Sequence, residues 1–242
     1  YTTPQQLGTV VHDVFFDSGA ARLHGWWMPA AGAPRATVVH AHGNAANVSN
    51  HAPLVAWLPA AGLNVLSFDY RGFGRSSGSP TLEGVVDDTL AAIAEARARS
   101  APDAPLILLG QSLGGATAIR AAAQDAAGAL RLLIVDSAFA SYRGIARDAA
   151  GGGPLALVAP LALPALPDAP RDPQTLIAHV RAPVLLLHGE RDGVIPIQHG
   201  ERLHAAAREP KQFIRIAGGQ HLDALSRSDV RQRILASIAA VL

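Results

Sequence analysis

Eight short stretches of the chain are rich in Val, Leu, Ile and aromatic residues, and apolar residues recur at helical spacing between most of them. The stretches near 9–16, 21–28, 36–41, 64–69, 105–110, 131–136, 183–188 and 211–217 read as strands. Asp17-Ser18-Gly19 separates the first two and predicts an antiparallel hairpin. The unbroken apolar runs at 38–39, 106–109, 132–135 and 184–187 fit strands covered on both faces, as in a parallel sheet under helices. Ser79-Pro80 offers an N-cap serine with proline in the first turn, and Leu82, Val86, Leu90 and Ile93 then share a face. Further helices are predicted over 112–127, 196–207 and 226–242, the last with the stripe Val230, Ile234, Ile238 and Val241. This alternation predicts one α/β domain over 1–242, an open, mostly parallel eight-stranded sheet with helices on both faces. In such sheets ligands gather at the carboxyl ends of the strands.

Composition narrows the classes. Apolar residues make up 49% and charged residues 16%, which excludes a disordered chain. The formal charge of +1 is too small for a general nucleic-acid field. With no cysteine, disulfides, thiolate metal sites and a cysteine nucleophile are all excluded. The most apolar stretch, 153–170, holds prolines at 154, 160, 164, 167 and 170, so no bilayer-length helix runs through it. The chain opens on Tyr1 rather than Met. The expectation is that a signal peptide, membrane anchor or tag has been removed. Membrane association through such an anchor therefore stays open, as do cytoplasmic and periplasmic locations.

The strongest chemical signal is Gly110-Gln111-Ser112-Leu113-Gly114, set between a predicted strand and a predicted helix. Gly-x-Ser-x-Gly in that setting is a nucleophile elbow, whose glycines let strand and helix pack closely around a strained serine. A serine needs a base. His221, in Gly218-Gly219-Gln220-His221, follows the last predicted strand and precedes the last helix. The base needs an orienting carboxylate. Asp192 follows the strand at 183–188, and Asp136, at the end of the preceding strand, is the alternative. Gly193 beside Asp192 also allows a plain turn. An oxyanion hole is expected from the backbone N–H groups of Asn44 and Leu113, with Gly43 allowing close backbone approach. His40 and His42 form a His-x-His pair, but no third metal ligand is obvious.

Taken in the order Ser, Asp, His, these motifs resemble the α/β-hydrolase superfamily over roughly residues 20–240. Within it, three segments resemble the small serine hydrolases of the ABHD type. They are His42-Gly43-Asn44-Ala45-Ala46-Asn47, Asp69-Tyr70-Arg71-Gly72-Phe73-Gly74-Arg75-Ser76-Ser77-Gly78 and His188-Gly189-Glu190-Arg191-Asp192. That group includes protein depalmitoylases and bacterial esterases of the serine-aminopeptidase-like type, often with an N-terminal membrane anchor. The Asp69–Gly78 loop reads as structural, its arginine tying the loop down. About 45 residues separate Ser137 from Pro183, too few for a large cap. They predict a minimal cap, with a short lid-like insertion at 143–175 that contains Gly151-Gly152-Gly153 and an apolar stretch at 155–166. That stretch is either a surface excursion around a short helix or a flap lining an acyl pocket. In the second case Leu157 and Leu161 would contact the acyl chain, and Phe139 and Tyr142 would add to the same wall.

The expected activity is cofactor-free and metal-free hydrolysis of carboxylic ester or thioester bonds with short to medium acyl chains. The partner is then a small-molecule acyl ester or an acylated substrate. A peptidase or aminopeptidase and an acyltransferase share every motif. A non-catalytic binding module is the alternative from another class, and it conflicts with an intact Ser, Asp and His set. Nucleotide chemistry is disfavoured, because the phosphate-binding Gly-x-x-x-x-Gly-Lys-Ser/Thr loop is absent.

Overall fold

The computed structural model describes residues 1–44, 46–125, 128–150 and 169–242. Gly151-Gly152-Gly153, Leu157 and Leu161 lie outside the described residues. Eight strands form one sheet: β1 (His12–Ser18), β2 (Ala21–Met28), β3 (Ala36–Ala41), β4 (Leu63–Phe68), β5 (Leu106–Gln111), β6 (Leu130–Asp136), β7 (Val184–Gly189) and β8 (Lys211–Ile216). The spatial order is β1-β2-β4-β3-β5-β6-β7-β8. β1 and β2 form the antiparallel hairpin, and β2 is also antiparallel to β4. From β4 to β8 every neighbouring pair is parallel. The chain passes from β3 out to β4, then returns to lay β5 on the other side of β3. Their neighbouring carboxyl ends diverge in connectivity there, which opens the crevice where ligands bind in such sheets. This is the α/β-hydrolase fold.

Alternation along the central strands divides the core into two layers. Val39, Ala41, Leu106, Leu108, Leu133 and Val135 pack on one face; Val38, Ile107, Leu109, Leu132 and Ile134 pack on the other. The five longer helices are α1 (Gly84–Arg99), α2 (Leu113–Ala122), α3 (Tyr142–Ala150), α4 (Gln198–Ala206) and α5 (Ser228–Ala239). α1, α2 and Leu203 of α4 cover the first face. On the second face lie the segment around 48–58 and α5, through Val230, Ile234 and Ile238, with Val241 beyond the helix end.

Three details differ from the sequence-based expectation. The hairpin turn sits at Gly19-Ala20 rather than Asp17-Ser18-Gly19, because β1 continues to Ser18, which pairs with Ala21. α1 begins at Gly84, not behind Ser79. Thr81 Oγ1 accepts the Gly84 N–H at 2.9 Å, while Pro80 is pressed against Gly72, where a Cβ would stand 2.6 Å from its Cδ. The buried side of α1 carries Val85, Val86, Asp88, Thr89, Ala92 and Ala96, with the expected Leu90 and Ile93 packed against it, whereas Leu82 lies before the helix and is exposed. Alanine packs closely enough to set that face, a preference that a search for bulky residues misses. The third difference is α2, which stops at Ala122 instead of reaching 127. The Asp125 carboxylate takes the Ala129 and Leu130 N–H groups at 3.1 and 2.9 Å and turns the chain into β6.

Arg71 does tie its loop down. Its Nη2 and Nε reach Asp88 Oδ1 at 2.7 and 3.0 Å, and its backbone N–H donates to Oδ2 at 2.8 Å. The Asp88 side chain is fully buried. Removing the guanidinium would leave that carboxylate buried without its countercharge. Arg71→Ala is therefore expected to lower unfolding stability by about 3 kcal/mol or more. Urea unfolding checks this, and a loss under ~1 kcal/mol would show that solvent reaches Asp88 easily.

Candidate active site

Ser112 occupies the turn between β5 and α2 at φ 54°, ψ −118°, a strained conformation for a residue with a side chain. The flanking glycines are sterically required. A Cβ on Gly110 would meet the Gly114 carbonyl and sit 2.7 Å from the Ala118 Cβ. A Cβ on Gly114 would run into the Ala41 and His42 carbonyl oxygens. Strand, turn and helix thus pack too tightly for any other residue at either position. The Ser112 N–H donates to Asp136 O at 2.8 Å, which fixes the turn against β6. Strain collects around this point. The non-glycine residues with positive φ are Ala46, Ser112, Ser137 and Leu222 among the described residues, and all four lie on loops following strand carboxyl ends.

The structure brings Ser112, His221 and Asp192 into one hydrogen-bonded line. His221 Nε2 lies 3.1 Å from Ser112 Oγ, and His221 Nδ1 lies 2.8 Å from Asp192 Oδ2. Since a carboxylate only accepts, Nδ1 carries the proton and Nε2 faces the serine with its lone pair. The His221 side chain is 19% exposed and that of Asp192 is fully buried, so the line runs from a reachable hydroxyl to a dry carboxylate. Burial alone would raise the Asp192 pKa. His221 and the Ile195 and Val194 N–H groups, at 2.8 and 2.9 Å from Oδ1, overcome that and hold it below the ordinary carboxylate value. The turn that Gly193 suggested is real, and Asp192 makes it with one oxygen while the other serves His221. The two loops are stitched together by Arg191 N–H to Gly219 O at 2.8 Å and Glu190 N–H to Ile216 O at 3.1 Å. Gly189 makes this possible, because a Cβ there would stand 2.6 Å from the Gln220 oxygen.

Asp136 is engaged elsewhere. Its carboxylate accepts from Gln111 Nε2 at 2.9 Å and from Ser137 Oγ at 3.1 Å, and burial pushes its pKa up to about 6. It terminates a buried polar string behind the nucleophile. Gln111 Oε1 is an acceptor, so His40 Nε2 donates to it at 3.0 Å, and His40 Nδ1 then accepts the Ser67 hydroxyl at 2.9 Å. Burial drives the His40 pKa down to about 3, so the ring is neutral. Both His40 nitrogens are committed to the protein, and His42 Nδ1 donates to Gly43 O at 2.7 Å. Gln111 inside the elbow motif was the sequence clue to this string, and nothing local marked Ser67 or His40 as its partners.

The loop after β3 closes on the serine from the other side. A Cβ on Gly43 would lie 3.4 Å from Ser112 Cβ. Asn44 follows on the exposed part of that loop. Leu113 is the first residue of α2, so its N–H has no intrahelical acceptor and lies at the positive end of the helix. Phe139 and Tyr142 pack edge to face with ring centroids 5.0 Å apart. With Ala116 and Ile195 they form a small apolar cluster, joined by Leu113 and Ile145 and separate from the two main core layers. Both residues are buried. The Tyr142 hydroxyl accepts from Arg120 Nη1 at 3.3 Å.

Similarity to known proteins agrees with this architecture. A family model described as serine aminopeptidase, S33, matches residues 32–169. The uncharacterized protein YfhR of Escherichia coli strain K12 is 43% identical over 218 residues, covering 88% of this chain and 73% of its own length. Human protein ABHD12B is 31% identical over 196 residues, covering 76% of this chain and 53% of its own. Among solved structures, the Pyrococcus furiosus esterase Pf2001 superposes with TM-score 0.78 at 18% identity, covering 100% of this chain and 94% of its own. Est1E of Butyrivibrio proteoclasticus, solved with ferulic acid bound, gives 0.74 at 20%, covering 93% and 99%. These two likenesses are of fold. The family match over more than half the chain, together with relatives at 43% identity, places this protein among the hydrolases of the serine aminopeptidase S33 family, within the α/β-hydrolase superfamily.

Proposed function

We propose that this hydrolase is a serine esterase that cleaves carboxylic ester or thioester bonds through an acyl-enzyme on Ser112. The observation that carries the reading is the unbroken line from Ser112 Oγ through His221 to buried Asp192. In this mechanism His221 Nε2 takes the Ser112 proton as Oγ attacks the carbonyl carbon. Asp192 Oδ2 accepts the Nδ1–H throughout, fixing the tautomer and stabilising the imidazolium. The Leu113 and Asn44 N–H groups receive the negative charge that develops on the carbonyl oxygen. His221 then protonates the leaving alcohol or thiol. Water, deprotonated by the same nitrogen, attacks the acyl carbon and releases the acid. Every proton moves between Ser112, substrate, water and His221, and deacylation returns one to Ser112, so the scheme requires no metal or cofactor.

The roughly 45 residues between Ser137 and Pro183 leave room only for a shallow cap, which favours an acyl chain of short to medium length. A second reading comes from the family description itself, which is that of an aminopeptidase. An aminopeptidase must also bind a free α-ammonium, so the two readings separate on substrates. The test is kcat/KM over p-nitrophenyl esters from acetate to octanoate, an acyl thioester and an aminoacyl p-nitroanilide. Ester or thioester turnover exceeding anilide turnover at least ~100-fold is expected. The reverse order would make the protein a peptidase. Leu157→Ser with Leu161→Ser is expected to lower the octanoate rate more than the acetate rate.

A further inference from the structure

We propose that Asp69 is a positioning residue for the oxyanion loop: its carboxylate holds both ends of the segment between His42 and Val48 and so keeps Gly43 and Asn44 against Ser112. The inference rests on the oxyanion role proposed above for Asn44. Asp69 immediately follows β4, is 1% exposed, and takes no part in the proton transfers. Its Oδ1 accepts the Val48 N–H at 2.6 Å, at the exit of the loop. The same oxygen lies 3.4 Å from His42 Nε2, at the entrance. His42 Nδ1 in turn donates to Gly43 O at 2.7 Å; when Nε2 also carries a proton, the imidazolium pairs with the carboxylate and links it to the backbone beside the nucleophile. Two further contacts brace it. The Tyr70 hydroxyl donates to His42 O at 3.0 Å, and His51 stacks on the His42 ring at 4.9 Å.

The loop has open space along part of its flank, although Val48 itself is buried in the core. Asn47, Val48 and Ser49 border a cavity of about 360 Å³ that also reaches His24, Trp26 and Arg75. Space for the carboxylate is reserved in the chain: a Cβ on Gly74 would collide with Asp69, its Cγ standing only 2.6 Å away. Burial works against the charge on Asp69, yet His24, His42 and the Val48 N–H hold its pKa down to about 2. His24 Nδ1 faces the second oxygen at 3.6 Å. His24 Nδ1 and His42 Nε2 are two of the three buried side-chain polar atoms without a hydrogen bond among the described residues, and both face this one carboxylate. Buried polar atoms are seldom left so.

The ordinary alternative is that Asp69 only caps the turn beginning at Val48. Asp69→Asn separates the two roles, since an amide oxygen still accepts the Val48 N–H while the charge facing His42 and His24 is lost. Two readouts are taken on the folded full chain: amide hydrogen exchange over 43–48, and kinetics with p-nitrophenyl acetate. Exchange in the loop is expected to quicken at least ~10-fold. kcat is expected to fall ~10- to 100-fold with KM changed less than ~3-fold, somewhat below the loss of a whole oxyanion donor. A trifluoromethyl ketone, which forms the tetrahedral adduct on Ser112, should lose affinity by the same factor as kcat/KM. Unchanged exchange overturns the proposal, and so does faster exchange with unchanged kcat. If Asp69→Asn does not fold, His42→Gln decides, because it cuts the link at the entrance and leaves the Val48 bond intact. Wild-type protein that neither hydrolyses the ester nor reacts with a fluorophosphonate sinks the esterase reading instead. In that case quickened exchange still identifies Asp69 as the clamp of the loop.

Discussion

Ser112→Ala is expected to lower kcat/KM for p-nitrophenyl acetate by ~10⁴- to 10⁶-fold, the scale on which removal of a serine nucleophile reads. It is also expected to abolish covalent labelling by a fluorophosphonate, with the wild-type label located on Ser112 by peptide mass spectrometry. The size follows from geometry. The hydroxyl sits 3.1 Å from a histidine nitrogen whose other nitrogen is held by a buried carboxylate, and the turn presents it at a helix N-terminus. Alanine keeps the turn and the helix, so folding should be unchanged. Residual hydrolysis would come from charge stabilisation and binding alone. A label on another residue, or a labelled Ser112→Ala protein, would move the nucleophile elsewhere.

The second large effect separates the two candidate acids. Asp192→Asn is expected to lose at least ~100-fold in kcat, and up to about 10⁴-fold, because the amide no longer fixes the tautomer or stabilises the imidazolium. Asp136→Asn should cost only a few-fold, since its carboxylate serves Gln111 and Ser137 rather than His221. The reverse pattern would make Asp136 the acid.

pH adds an independent check. Burial raises the folded pKa of Asp136 from 3.8 to about 6. Between those values the folded protein retains a proton that the unfolded chain has released. The stabilisation is therefore full below pH 3.8 and is lost as pH rises through about 6. Asn at 136 has no such titration. The Tm difference, wild type minus Asp136→Asn, should shrink by about 5 °C between pH 4 and pH 7. A constant difference would mean that Asp136 is already ionised at pH 4. Asp192 has the opposite sign: its lowered pKa stabilises the fold above the ordinary carboxylate range and is lost as pH falls.

Much of the fold is written locally. Strands buried on both faces need apolar residues at every position, so 106–109, 132–135 and 184–187 announced themselves and lie in β5, β6 and β7. The elbow was equally legible. Gly110 is demanded by the turn and helix that follow it, through the Gly114 carbonyl and Ala118, whereas Gly114 is demanded by the Ala41 and His42 carbonyls at the end of β3. Even the candidate base and acid could be named, because each falls on a loop after a strand in a known order. The alternatives at that level, such as Asp136 against Asp192, were alternatives of reach, and reach is not a local property.

What tertiary structure alone decided is which residues meet. Ser112 and His221 are 109 residues apart and Asp192 and His221 are 29 apart, distances closed only by the parallel register of β5 through β8. The string from Ser67 through His40 and Gln111 to Asp136 crosses four adjacent strands, and β4 lies beside β3 only because the chain turns outward before coming back. The Asp69 clamp is of the same kind, joining the end of β4 to both ends of the loop after β3. Hydrophobic patterning specifies that a position is buried, since burial depends on the side chain's own transfer free energy. It carries no information on which polar partner waits there, since that partner is set by strand order and register, and these depend on the packing of the whole sheet.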